Sequence, residues 1–231
     1  MPQLKAIFYD MDGTLVHFQI NYRLARKRAI EELENQGIYN ANQMFSVTTP
    51  WTTTLREAQK YMENQKFSEK RIRSIMEILN DKIVQIERKA ALEAKKVDSM
   101  ERMLEFGQLH NLKQIIVTFN THETAVITLK VVDWLHYFDD IYGRDDVNNP
   151  KPHKDHLQIA AEKYGFTPES SILIGDMSSD IQAAKNFGCP SIGIRTDFEI
   201  NTIENADYIV NQNNAANEII KILKTNYQWD Y

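Results

Sequence analysis

The stretch Ala6-Ile7-Phe8-Tyr9-Asp10-Met11-Asp12-Gly13-Thr14-Leu15-Val16 limits what this chain can become. A short apolar run bounded by a turn signal reads as a buried strand. The two carboxylates then fall just past its carboxyl end, the edge where open α/β sheets bind ligands. Side chains two apart on extended backbone point the same way, so Asp10 and Asp12 can face one site. Two such charges a few Å apart repel by roughly 4 kcal/mol at an effective dielectric near 20. A fold keeps the pair if a cation neutralises it or one carboxyl stays protonated. Gly13 permits a tight turn, and Thr14 can cap or hydrogen-bond that turn. A plain strand end with a polar Asp-Gly turn is the simpler reading of this stretch alone; the later motifs decide against it.

The rest of the chain alternates strand and helix, with one interruption. From Asn21 to about Phe106 the pattern is helical: Asn21 to Gln36, Trp51 to Gln65, a long helix capped by Ser68, and another opened by the capping-box spacing of Asp98 and Glu101. Strands are expected at Ile115–Thr118, Ile141–Tyr142, Ser171–Ile174, Cys189–Ile194 and Tyr208–Val210. Helices are expected at Thr121–Val132, Lys154–Tyr164, Asp180–Phe187 and Ala215–Lys224. Such alternation implies right-handed crossovers and a parallel sheet with helices on both faces. The expected fold is therefore α/β, a Rossmann-like core from residues 1–16 and 108–231, with an all-helical cap inserted as residues 17–107.

Bulk properties exclude several classes. The 231 residues carry a net charge of −5, which argues against a general nucleic-acid binder. The single cysteine, Cys189, fits a reducing compartment. No apolar run approaches the roughly 18 residues that a membrane span needs, and the first residues show no signal-peptide pattern. The expectation is a cytoplasmic protein, monomer or homodimer, with neither a nucleic acid nor a membrane as partner.

Four pieces fall at strand ends or in the loops that follow: Asp10/Asp12; Thr118 with Phe119-Asn120; Lys151 between Pro150 and Pro152; and Gly175-Asp176-Met177-Ser178-Ser179-Asp180. Each alone has an ordinary structural explanation. Together they offer carboxylates for a hard cation such as Mg²⁺, and an ammonium and a hydroxyl for a phosphate. Phosphoryl transfer is the chemistry that uses these parts.

The ordered set DMDGT, VT, KP and GDMSSD resembles the haloacid dehalogenase superfamily of phosphatases and phosphotransferases. The helical insertion after the first motif resembles its subgroup with phosphoglycolate phosphatase-like and β-phosphoglucomutase-like enzymes. The resemblance implies that Asp10 is the nucleophile forming an aspartyl-phosphate and Asp12 the general acid and base. It implies phosphoryl contacts from Met11, Asp12, Thr118, Phe119, Asn120 and Lys151, with Lys151 also orienting Asp10. It implies Mg²⁺ on Asp10, Asp12 (through its backbone carbonyl) and Asp176, with Asp180 supporting the metal shell or Lys151. The implied activity is Mg²⁺-dependent hydrolysis of a small phosphorylated metabolite. A phosphomutase using the same site and a non-catalytic phospho-ligand-binding regulator are the alternatives. Phe119 departs from the small or polar residue usual after the motif-two Thr, leaving a backbone N–H contact there. Lys154 stands where many relatives carry a second proline.

Other features have simpler readings. His153 and His156 have an i, i+3 spacing that a metal site or a solvated first helical turn would explain. Arg23, Arg26, Lys27 and Arg28 form either an anion-attracting patch or a solvated helix face. Thr48 to Thr54, with Trp51, reads as a polar loop that sets specificity, with Arg56 as a substrate contact, or as a helix lead-in.

Overall fold

The computed structural model describes residues 2–17, 22–47, 51–196 and 203–229. They divide into two units, Met1–Gln19 with Ala91–Tyr231, and Ile20–Ala90.

The larger unit is built on six parallel strands: β1 (Ala6–Tyr9), β2 (Lys113–Val117), β3 (Asp140–Tyr142), β4 (Ser171–Gly175), β5 (Ser191–Arg195) and β6 (Tyr208–Asn211), in the order β3-β2-β1-β4-β5-β6. β1 is buried along its whole length because both of its neighbours are strands and both of its faces are covered. The side-chain period of two divides it between two cores. Ile7 and Tyr9 join Ile116, Ile172, Ile174 and Ile192 on one face, against α5 (Glu101–Leu109), α6 (His122–Val131) and α9 (Ala215–Asn226). Ala6 and Phe8 join Ile115, Val117 and Leu173 on the other, against α7 (Asp155–Tyr164) and α8 (Ser178–Phe187). Phe8 meets Phe166 and Phe187 edge to face at 5.6 and 6.1 Å. Each fully buried side chain of this size contributes roughly 1.5–3 kcal/mol.

The smaller unit holds α1 (Tyr22–Asn35), α2 (Ala41–Met44), α3 (Trp51–Asn64) and α4 (Glu69–Leu92). Its own core joins Ala29 and Leu33 to Ala58, Met62, Ile75 and Leu79. Ser68 caps α4, its Oγ accepting from the Arg71 amide at 3.4 Å.

Three expectations change. The helical insertion is shorter than 17–107, because 91–107 belong with the sheet: Met100, Met103, Leu104 and Phe106 are buried in the sheet's core. The Asp98/Glu101 spacing makes a 3₁₀ turn (Asp98–Met100) without a side-chain cap. Glu101 instead accepts from Trp134 Nε1 and Lys96 Nζ, both at 3.0 Å. The polar stretch around Trp51 is no loop from that residue on: Trp51 to Thr54 are the first turn of α3, while Thr48 to Pro50 lie outside the described residues. Arg56 stands exposed on that helix. Among the described residues no helix is long and apolar enough to cross a membrane.

The packing of α5 sets a test. Leu104→Ala is expected to cost about 2–5 kcal/mol and to lower hydrogen-exchange protection in β1 and β2. Loss of protection confined to α1–α4 would return this helix to the helical unit.

Candidate active site

Register places the site. Tyr9 pairs with Ile116 of β2 and with Ile174 of β4, so the next residue, Asp10, is level with Val117 and Gly175. Its amide extends the ladder by one bond, donating to the Ile174 carbonyl at 2.8 Å. Thr118 and Asp176 are likewise the first residues past their strands. Asp10 continues the alternation of Ala6 and Phe8, towards the side covered by α7 and α8. Lys151 reaches it from the loop ahead of α7, and Asp180 from the first turn of α8.

Lys151 is buried, and its three ammonium protons have three acceptors. Nζ lies 2.6 Å from Asp10 Oδ1, 2.6 Å from Asp180 Oδ1 and 2.9 Å from the Val117 carbonyl. The Phe119 ring stands 5.2 Å from the same nitrogen, excluding water and adding a cation–π contact. Burial works to lower the Lys151 pKa, but the charges of Asp10 and Asp180 overcome it and hold it above the ordinary lysine value.

Asp10, Asp176 and Asp180 form a buried group whose oxygens lie within 4.8 Å of one another. One ammonium cannot neutralise three carboxylates. Burial, then the charges of Asp10 and Asp180, push Asp176 up to about 9. Burial also raises Asp10, with Lys151 pulling against it. Asp176 Oδ1 is buried without a partner. Asp180 is already engaged at both oxygens, Oδ1 by Lys151 and Oδ2 by the Met177 amide at 3.0 Å. The three carboxylates together are a donor set that could hold a hard divalent cation, with Asp10 and Asp180 each giving one oxygen to Lys151.

Two glycines allow these loops to close. Gly13 has φ +86°, and a Cβ there would collide with the Asp176 carboxylate; one on Gly175 would collide with the Asp180 carboxylate. The Thr14 bond is not made: its Oγ is buried and unpaired.

Asp12 is half-buried and lies outside the acidic group; its Oδ2 accepts from Asn120 Nδ2 at 2.8 Å. Burial raises it to about 6, with the Asn120 hydrogen bond and the Lys151 charge opposing. Thr118 Oγ1 accepts from the Asn120 amide at 3.1 Å. Met11 is buried in the sheet core, so only its backbone can face a ligand. Arg144 was not expected in this neighbourhood: it donates from its guanidinium to the Phe119 carbonyl at 2.7 Å and from its amide to that of Asn120 at 2.9 Å. No spacing signals it, because it comes from the separate loop after β3.

The two histidines diverge. His153 pairs with Asp155 at 2.6 Å on the surface, whereas His156 is buried with Nε2 3.0 Å from the Gly143 carbonyl. Of the cationic cluster on α1, Arg26 turns to the Val47 carbonyl at 3.1 Å, and Arg23, Lys27 and Arg28 are exposed.

A family model described as haloacid dehalogenase-like hydrolase matches residues 7–194. The chain is 47% identical over 66 residues to the phosphoglycolate phosphatase of Escherichia coli K12, a stretch covering 29% of this chain and 26% of that enzyme. The match thus spans about a quarter of the length of that curated relative. Among solved structures, a β-phosphoglucomutase candidate from Thermotoga maritima is 21% identical with a TM-score of 0.64, over 95% of this chain and 100% of the other. A predicted phosphoglycolate phosphatase from Haemophilus somnus is 20% identical with a TM-score of 0.66, over 96% and 99%. A hydrolase candidate of the same superfamily from Bacillus subtilis, described as bound to magnesium, is 18% identical with a TM-score of 0.58, over 96% and 99%. These structures share the fold.

Two measurements test the electrostatics. Lys151→Met strands Asp10 and Asp180 without a counter-charge, and urea unfolding should show a loss on the order of 3–5 kcal/mol; an unchanged midpoint would contradict the pairing. In the cation-free protein the raised Asp176 keeps a proton that the unfolded chain releases near its ordinary pKa of about 4. The native state then binds more protons, so stability present below that pH is lost as pH rises through about 9. The urea midpoint should fall between about pH 5 and pH 9, with a shallower slope in Asp176→Asn; identical slopes would contradict this.

Proposed function

This chain belongs to the haloacid dehalogenase-like hydrolase family, and on that premise we propose that it is a Mg²⁺-dependent phosphatase acting on a small phosphorylated metabolite through an aspartyl-phosphate at Asp10. The observation that carries the reading is the Lys151 ammonium held between Asp10 and Asp180 beside the unpaired Asp176 oxygen.

Lys151 fixes the Asp10 carboxylate by one oxygen and supplies positive charge where a phosphoryl group would be received. Asp10 attacks phosphorus, the bond from phosphorus to the leaving oxygen breaks, and the Asp12 carboxyl gives its proton to that oxygen. Asp12, now a carboxylate, takes a proton from water as the water oxygen attacks the same phosphorus. The bond to Asp10 breaks, and phosphate and free Asp10 result. With burial raising its pKa to about 6, Asp12 can serve as acid and then as base near neutral pH. The Thr118 hydroxyl and the backbone of residues 11–12 and 119–120 are read as the phosphoryl contacts. Asp10, Asp176 and the Asp12 backbone carbonyl would hold Mg²⁺, which supplies charge neutralisation when bound. Splitting the displacement in two suits a reaction whose uncatalysed rate is among the slowest known.

The helical unit 20–90 is read as the part that selects the substrate. The phosphoglycolate phosphatase relative makes small phosphorylated acids the first substrates to try.

Phosphate release measured across a panel of phosphorylated metabolites, with Mg²⁺ and with a chelator, tests the reading. Turnover should depend on the metal and fall by at least about 10³-fold in Asp10→Asn, with the fold retained. Full activity in Asp10→Asn would refute the mechanism. Isomerisation of a sugar phosphate without release would assign the site to a mutase.

A further inference from the structure

Asn120 stands two residues beyond Thr118, itself the first residue past β2, and is held from several sides. It is buried, its amide donates to Thr118 Oγ1, and its carbonyl accepts from the Arg144 amide. The neighbouring Phe119 carbonyl is pinned by the Arg144 guanidinium at 2.7 Å. So fixed, Asn120 directs its side-chain nitrogen to Asp12 Oδ2 at 2.8 Å, while its side-chain oxygen is buried without a partner. When Asp12 is ionised its carboxylate only accepts, so the amide then presents its nitrogen to it. The same geometry weighs against a direct phosphate contact by this side chain, since one Nδ2 proton is committed to Asp12 and its oxygen would repel an anion.

We propose that Asn120 is the positioning residue for Asp12, aiming its carboxyl at the leaving-group oxygen. This rests on the acid–base role given to Asp12 above. Asp12 stands half-exposed on a turn, and Asn120 Nδ2 is the side-chain donor that fixes its rotamer. The anchor comes from the loop after β2, so the acid from the first motif is oriented by the second. Phe119, which occupies the preceding position and packs against Lys151, leaves Asn120 to reach across to Asp12.

Leaving-group dependence tests this, because protonation matters for an alkyl ester and little for a nitrophenyl ester. The probes are an alkyl phosphate that the native enzyme turns over and nitrophenyl phosphate, with Asn120→Ala and the near-isosteric Asn120→Leu. Folding of both variants is checked by circular dichroism and thermal unfolding, and either folded variant suffices. The expected result is a kcat loss about tenfold larger for the alkyl ester than for the nitrophenyl ester. In an Asp12→Ala background the same replacement should change alkyl-ester turnover by less than about twofold. Equal losses for both esters would indicate phosphate binding or general structural support and overturn the proposal, as would an undiminished loss in Asp12→Ala. A native enzyme that releases phosphate from no ester would remove the phosphatase reading itself, and this proposal with it.

Discussion

Lys151 carries its charge into a place shut off from water, and three loops are arranged around it. Its ammonium meets Asp10, Asp180 and the Val117 carbonyl, which uses every proton it has. Without it, three carboxylates would crowd within 4.8 Å, each pair repelling by about 4 kcal/mol at an effective dielectric of 20. With it, two negative charges too many remain, and the excess is expressed at Asp176, whose pKa rises and whose Oδ1 lacks a partner. A divalent cation beside Asp10 and Asp176 would complete the balance.

The sheet makes this meeting possible at small conformational cost. Parallel pairing of β1 with β2 and β4 ends the three strands at neighbouring levels, so residues 10, 118 and 176 arrive together without long excursions. Asp180 needs only the first turn of α8, anchored by the Met177 amide. Lys151 alone comes from a longer connection. Gly13 and Gly175 give the approach its closeness, because a methyl group at either would strike a carboxylate of the group.

Much of this was legible in the sequence, for a physical reason. Strand ends are marked by the change from a buried apolar run to polar turn residues, and the chemistry sits at those changes. Asp10, Thr118 and Asp176 could therefore be picked out, Lys151 by the prolines that flank it, and the alternation of elements implied the parallel sheet. Beyond the Lys151 pairings that the resemblance implied, side-chain pairings across the fold were not legible. That Asn120 turns to Asp12, or that Arg144 pins the Phe119 carbonyl, depends on rotamers and on loops 25 or more residues apart. The end of the helical insertion was also hidden. Apolar residues at helical spacing in α5 look the same whether they pack on helices or on a sheet, and only contacts show that Leu104 belongs to the sheet. Glu101 looked like a capping residue for the same reason, its spacing being right while Trp134 and Lys96 claimed its carboxylate.

The role of Asp10 as nucleophile is tested most directly by acid-quenching the protein during turnover with Mg²⁺ and a phosphate ester, then mapping phosphorylated peptides by mass spectrometry. The expected result is a hydroxylamine-labile phosphoryl group on Asp10, absent when substrate is omitted. Turnover that proceeds with Asp10 unmodified, or with the phosphoryl group on another residue, would contradict it.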